Sequence, residues 1–226
     1  MGVMTLFIAV GIAASLAKHH HLDSLTAGML SLMSFLLVAA PLKDGQISTA
    51  YFSGQGIFTA ILVAIYSTEL YAFLKRHNIT IRLPPEVPAG VARSFEILLP
   101  VLAIILTLHP LNLFIEAQLG MIIPEAIMSL VKPLVAASDT LPAILLSVLV
   151  CQVLWFAGIH GALIVTGIMN PFWMANLSAN QAALAAGTVL PHVYLQGFWD
   201  HYLLIGGVGS TLPLAFLLLR SRATHL

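Results

Sequence analysis

Charge is what this sequence has least of. Of 226 residues, 8% are charged and 59% hydrophobic, and the mean hydropathy is +0.98, whereas a soluble domain carries about 25% charged residues. Such a chain cannot cover itself in water, so a soluble globular fold is excluded and the lipid bilayer becomes its solvent. Nine basic and nine acidic residues leave no net charge, which removes any argument for nucleic-acid binding. Cysteine is nearly absent too. Cys151 stands alone inside an apolar run, so an internal disulfide framework is excluded and small-residue packing is its role. No cleavable leader is expected in Met1 to Ala17, which lacks a basic start and flows into a second apolar segment. No nucleophile stands beside a base: Asp139, Asp200 and His201 flank apolar segments, where anchoring at the interface accounts for them. The run His19-His20-His21 invites a metal reading, but adjacent histidines project in different directions and no second ligand cluster follows. No catalytic residue, metal ligand set or cofactor is therefore assigned.

What the chain does contain is a series of apolar segments, read as crossings at about 20 residues each. They are Met1 to Ala17, Leu25 to Ala40, Ile57 to Leu74, Ile97 to Leu113, Leu141 to Phe156 and Tyr202 to Leu219. Asp23-Ser24 supplies N-cap chemistry for the second, and Pro41 with Lys43-Asp44-Gly45 stops it. Glu69, near the end of the third, is expected at the interface. Pro100 and Pro110 predict kinks in the fourth. Between Phe114 and Leu134, Glu116, Gln118, Glu125 and Lys132 alternate with apolar residues and Pro124 divides the stretch, which predicts a pair of interfacial amphipathic helices. The fold expected is an all-α polytopic membrane protein with about six transmembrane helices: an N-terminal half over 1–113, an interfacial linker over 114–136 and a second half over 137–226. The glycine cluster Gly206-Gly207-Val208-Gly209-Ser210 has no preceding strand and no following lysine, so it reads as close helix contact and not as a phosphate loop.

Lys75, Arg76, Arg82 and Arg93 make the loop before the fourth segment the most basic in the chain, and the positive-inside rule places it in the cytoplasm. Lys43 to Tyr51 then lies outside. Counting back, residue 1 also falls outside, which predicts an earlier crossing.

The most informative stretch is Trp155-Phe156-Ala157-Gly158-Ile159-His160-Gly161-Ala162. Asp139 is the only charged residue between Lys132 and Asp200, so a histidine at this depth needs a reason. Gly158 and Gly161 relax the backbone on both sides of it, as a broken helix requires. In lipid such a break is tolerated where it is buried in protein or lines a watery cavity. Either a neighbouring helix satisfies this histidine or it is functional. On an unbroken helix Trp155 and His160 would sit about 140° apart, so they share a ligand only if the backbone bends. Further on, Asn176, Asn180 and Gln181 form a polar, uncharged set. Amides donate and accept, which suits neutral, hydroxyl-rich ligands such as sugars. A surface of small packing residues explains the alanines there and leaves the amides unexplained.

Several of these pieces, in order, resemble the membrane subunit, enzyme IIC, of the bacterial phosphoenolpyruvate-dependent phosphotransferase system in its lactose/cellobiose/diacetylchitobiose family. They are Ser15-Leu16-Ala17-Lys18 with Asp23 to Leu32, Ser67-Thr68-Glu69, Leu83 to Pro88 leading to Ala92-Arg93-Ser94-Phe95, Trp155 to Gly161, Asn176 to Gly187 and Gly206 to Leu212. The resemblance implies a bacterial cell-membrane permease that carries a β-linked disaccharide inward for phosphorylation by enzyme IIB, itself charged by enzyme IIA. It implies a homodimer formed by the N-terminal half and a sugar site in the C-terminal half. The family's W-x-x-G-I-H-G pattern puts its sugar-binding histidine, in a re-entrant hairpin, on His160 and its ring-stacking tryptophan on Trp155. Asn176, Asn180 and Gln181 are taken as further sugar-binding candidates. The family pattern also includes an earlier crossing and a later segment with an N-E-P motif, so the chain reads as an internal fragment. The alternative to a permease is then a truncated membrane piece or assembly module that does not transport, and the 226 residues alone are expected not to carry sugar.

Overall fold

A computed structural model describes residues 3–43, 45–81, 84, 95–204 and 219. These residues are helical almost throughout and fall into two compact units, Met1–Val131 and Lys132–Leu226. The first unit holds α1 (Met4–His19), α2 (Ser24–Ala39), α3 (Ile57–Arg76) and α4 (Leu98–Leu119). Helix α5 (Ile123–Ser138) runs into the second unit, which holds α6 (Leu141–Phe156), α7 (Gly161–Ala185), the short α8 (Gln196–Phe198) and a π turn at Trp199–Leu203. Among the described residues the strands form a two-residue antiparallel hairpin, β1 (Leu42–Lys43) with β2 (Gln46–Ile47), pairing Leu42 with Ile47, and residues 188–195 between α7 and α8 are irregular.

In the first unit α1, α2 and α3 pack on one another through small side chains. Ala9, Ala13 and Ala17 recur every fourth residue on α1, so they share one face, and all three are fully buried. Small residues let helices approach closely where lipid offers no hydrophobic force to press them together. Gly28 shows how close: a Cβ there would lie 3.0 Å from Val10 Cγ1. The Ser31 hydroxyl donates across the contact to the Ala9 carbonyl at 2.9 Å, fully buried. Asp23 caps α2, accepting from the Thr26 N–H at 2.7 Å, as the sequence predicts. Glu69 meets His20 at 2.7 Å. Outward-facing Phe7, Leu25, Met29 and Leu62 are exposed apolar residues of the kind that lipid covers.

Two expectations need correction. The fourth segment does not stop at Leu113: α4 continues through Phe114 to Leu119 and ends on Gly120, whose φ of +67° is the left-handed closure that glycine permits. The division of the amphipathic stretch thus falls at Gly120, and Pro124 sits in the first turn of α5, where a missing N–H costs nothing. Pro100 likewise lies in the first turn of α4 and leaves only Pro110 inside the helix. Among the described residues, two helices, Gly54–Arg76 and Leu98–Leu119, are long and apolar enough to cross a bilayer. The pair Ile123–Ser138 and Leu141–Phe156, bent by 76° at its break, adds a third if it counts as one span. Helices α1 and α2 are apolar but only 16 residues each. The basic loop around Arg82 and Arg93, with most of the stretches at 83–94 and 202–219, lies outside the described residues.

Candidate functional site

Helix α6 ends at Phe156 in a closed glycine turn. Gly158 takes φ +78°, its N–H donates to the Trp155 carbonyl at 3.0 Å, and the Ile159 N–H reaches back to Leu154 at 2.9 Å. That pair of bonds satisfies the last carbonyls of α6 while turning the chain. His160 then begins α7. Its Nδ1 accepts from the Leu163 N–H at 3.2 Å, so the imidazole acts as the N-cap. A ring nitrogen that accepts carries no proton, which leaves the proton of a neutral ring on Nε2 as a donor. Gly161 completes the bend. A Cβ there would collide with the Cys151 carbonyl oxygen, so only glycine lets α7 pass so close to the α6 backbone.

The bend does what a straight helix cannot: the rings of Trp155 and His160 come together, their centroids 4.6 Å apart and their planes inclined at 51°. Trp155 is half-buried, whereas His160 is exposed. An aromatic face beside a ring N–H donor is chemically suited to a pyranose, whose C–H face stacks and whose hydroxyls accept.

The three candidate amides lie elsewhere on the same helix. Asn176 is 16 residues beyond His160, about 24 Å along an α-helix at 1.5 Å per residue, and Asn180 about 30 Å. Both are buried and Gln181 is exposed. Asn180 is occupied at both ends of its amide, accepting from the His192 N–H at 3.0 Å and donating to the His192 carbonyl at 2.8 Å. Asn176 donates to the Tyr194 carbonyl at 3.4 Å. These two amides therefore serve a non-helical stretch of backbone. A cleft of about 430 Å³ walled by Trp173, Phe198 and Tyr202 borders that stretch.

Asp139, expected at the interface, is tied to the backbone of residues 193–194. Its carboxylate accepts from the Tyr194 N–H at 2.5 Å and the Val193 N–H at 3.2 Å, and it lies 3.1 Å from His192 Nδ1. The signal was in the sequence: a lone formal charge within a long apolar stretch demands partners, and a partly buried carboxylate finds them in backbone N–H groups.

The model of the family described as "Phosphotransferase system, EIIC" matches residues 1–225. The chain belongs to that family. Among EIIC relatives, it is 34% identical to the cellobiose-specific EIIC component of Geobacillus stearothermophilus over 99% of its length, covering 53% of that protein. It is 33% identical to the putative permease IIC component YwbA of Bacillus subtilis (strain 168), over 99% of the chain and 54% of the relative. A lactose-specific EIICB component of Lactococcus lactis subsp. lactis is 30% identical over 96% of the chain and 40% of the relative. The crystal structure of the transporter ChbC, the IIC component of an N,N'-diacetylchitobiose-specific phosphotransferase system, superposes with a TM-score of 0.90 at 33% identity, over 99% of this chain and 55% of that one. The chain thus spans about half the length of these relatives.

Proposed function

We propose that this EIIC chain is the sugar-translocating permease subunit of a phosphoenolpyruvate-dependent phosphotransferase system, and that it carries a β-linked disaccharide of the cellobiose, diacetylchitobiose or lactose type inward for phosphorylation by enzyme IIB. The observation that carries the reading is the Trp155–His160 pair at the α6–α7 break, where a stacking face meets a ring donor. Trp155 packs on a sugar ring, and His160 donates through Nε2 to a hydroxyl near the one to be phosphorylated. Relatives specific for cellobiose and lactose support the substrate class. In this proposal the chain crosses the bacterial cell membrane about six times, residues 1–113 form a homodimer contact, and residues 137–226 carry the sugar-binding half. The loop from Lys75 to Arg93 faces the cytoplasm, where enzymes IIB and IIA act.

The test is uptake of labelled cellobiose, diacetylchitobiose and lactose by cells that lack their own permease but retain the soluble phosphotransferase proteins. One arm carries the 226 residues alone, and the other carries them joined to the C-terminal part of the cellobiose-specific relative. Accumulation of a sugar phosphate in either arm supports the permease. None in either arm overturns it. His160→Ala should raise the KM by about ten-fold or more, since a lost hydrogen bond that leaves its partner unpaired costs about 1–3 kcal/mol.

A further inference from the structure

Residues 192–194 are non-helical, yet their backbone is almost completely paired, and side chains do the pairing. Asn180 takes the N–H and the carbonyl of His192, Asp139 takes the N–H groups of Val193 and Tyr194, and Asn176 takes the Tyr194 carbonyl. In a lipid-embedded protein, irregular backbone persists only where such partners exist. Asp139 is the charged member and holds two consecutive N–H groups together with the His192 ring. What it seats is Tyr194, fully buried and edge-on to Trp173 with centroids 5.6 Å apart. Tyr194 shares one apolar cluster with Cys151 and Ala162, and Trp155 packs against that same cluster. Cys151 in turn is the residue whose carbonyl Gly161 passes. The carboxylate at the start of α6 is thus linked, through Tyr194, to both walls of the helix break at the other end of α6.

We propose that Asp139 is a positioning residue for the Trp155–His160 sugar site: by fixing the 192–194 backbone it seats Tyr194 in the core that holds the α6–α7 break in its sugar-binding shape. The inference rests on the function proposed above and adds to it a residue that touches no sugar.

Two measurements test it. Cys151 is the chain's single cysteine and is buried, so its alkylation by N-ethylmaleimide in membranes reports whether the core has opened. Asp139→Ala should speed that alkylation about ten-fold or more, and Asp139→Asn, which keeps one acceptor oxygen, should speed it less. Glu125→Gln, in the other unit, should leave it unchanged. Alkylation at the wild-type rate in Asp139→Ala overturns the proposal whether or not sugar is carried. The second measurement is uptake kinetics in whichever arm transports. Asp139→Ala should raise the KM about ten-fold with Vmax per inserted protein little changed, and should add little in a His160→Ala background, because both act on one site. A purely structural role would instead lower the amount of inserted protein and leave the KM alone, which also overturns the proposal. Wild-type KM in His160→Ala would sink the site assignment, whereas impaired His160→Ala beside unimpaired Asp139→Ala would sink only the positioning role.

Discussion

The α1–α3 cluster and the α6–α8 region are both built for an apolar setting from different materials. In the first, alanines and a serine allow helices to approach, and almost every backbone group is satisfied within its own helix. In the second, Trp173, Tyr194 and Trp199 fill the core, and a non-helical stretch must borrow hydrogen-bond partners from Asp139, Asn176 and Asn180. Between α1 and α2 the close approach at Gly28 is to the Val10 side chain, which can shift, although Gly56 just before α3 lies against the Tyr51 carbonyl. Between α6 and α7 the close approach at Gly161 is to backbone, which cannot shift so freely.

Identical substitutions in the two regions should therefore have unequal effects. The largest is expected for Gly161→Ala, whose new Cβ would meet the Cys151 carbonyl. Backbone cannot rotate away as a side chain does, so a loss beyond about 3 kcal/mol is expected, at or above the usual cost of overpacking. The readout is the melting temperature in detergent. A mild effect would break the contrast between the units. Next is Asn180→Ala, which strips both partners from His192 and should cost about 1–3 kcal/mol for each orphaned group. Hydrogen exchange at residues 192–194 should rise while that of α1 stays put.

The first unit supplies the smaller effects. The Tyr51 phenol, donating to Glu125 at 2.8 Å, is pushed up to about 12 from 10.0, first by burial, then by that hydrogen bond and by the charge of Glu125. The folded state thus favours the neutral phenol. The associated stability is complete below pH 10 and lost as pH climbs towards 12, and Tyr51→Phe should flatten that alkaline limb of the melting curve. An unchanged limb would detach Tyr51 from Glu125. Smallest of all is Gly28→Ala, where the Cβ meets chiefly the tip of Val10. The crowding is offset by a gain in helix propensity of about 1 kcal/mol, so stability should move by less than that.

The sequence made the apolar helices legible because a run such as Ile57 to Leu74 carries its own signal, and Asp23 marked the start of α2 by local chemistry. The break at Gly158 was also local. The extension of α4 past Leu113 was not, since Glu116 and Gln118 suggested an interface while helical propensity and the Gly120 stop decided otherwise. The link from Asp139 to Tyr194 was invisible for a different reason: it joins residues 55 apart with no periodicity between them. Asn176 and Asn180 stood out as a set of amides, and a side chain that would suit a sugar suits a bare peptide group equally well; here both hydrogen-bond the backbone at His192 and Tyr194.

His160 starts α7 through Nδ1, and under the proposed function the same ring would offer Nε2 to the sugar. Alanine removes both at once, so its effect confounds a frayed helix with a lost ligand contact. Asparagine, a strong N-cap whose amide is too short to reach as far as Nε2, would separate the functions. A His160→Asn chain that folds like the wild type yet ignores sugar would show that evolution economised here, giving one side chain the duties of both a fastener and a reader.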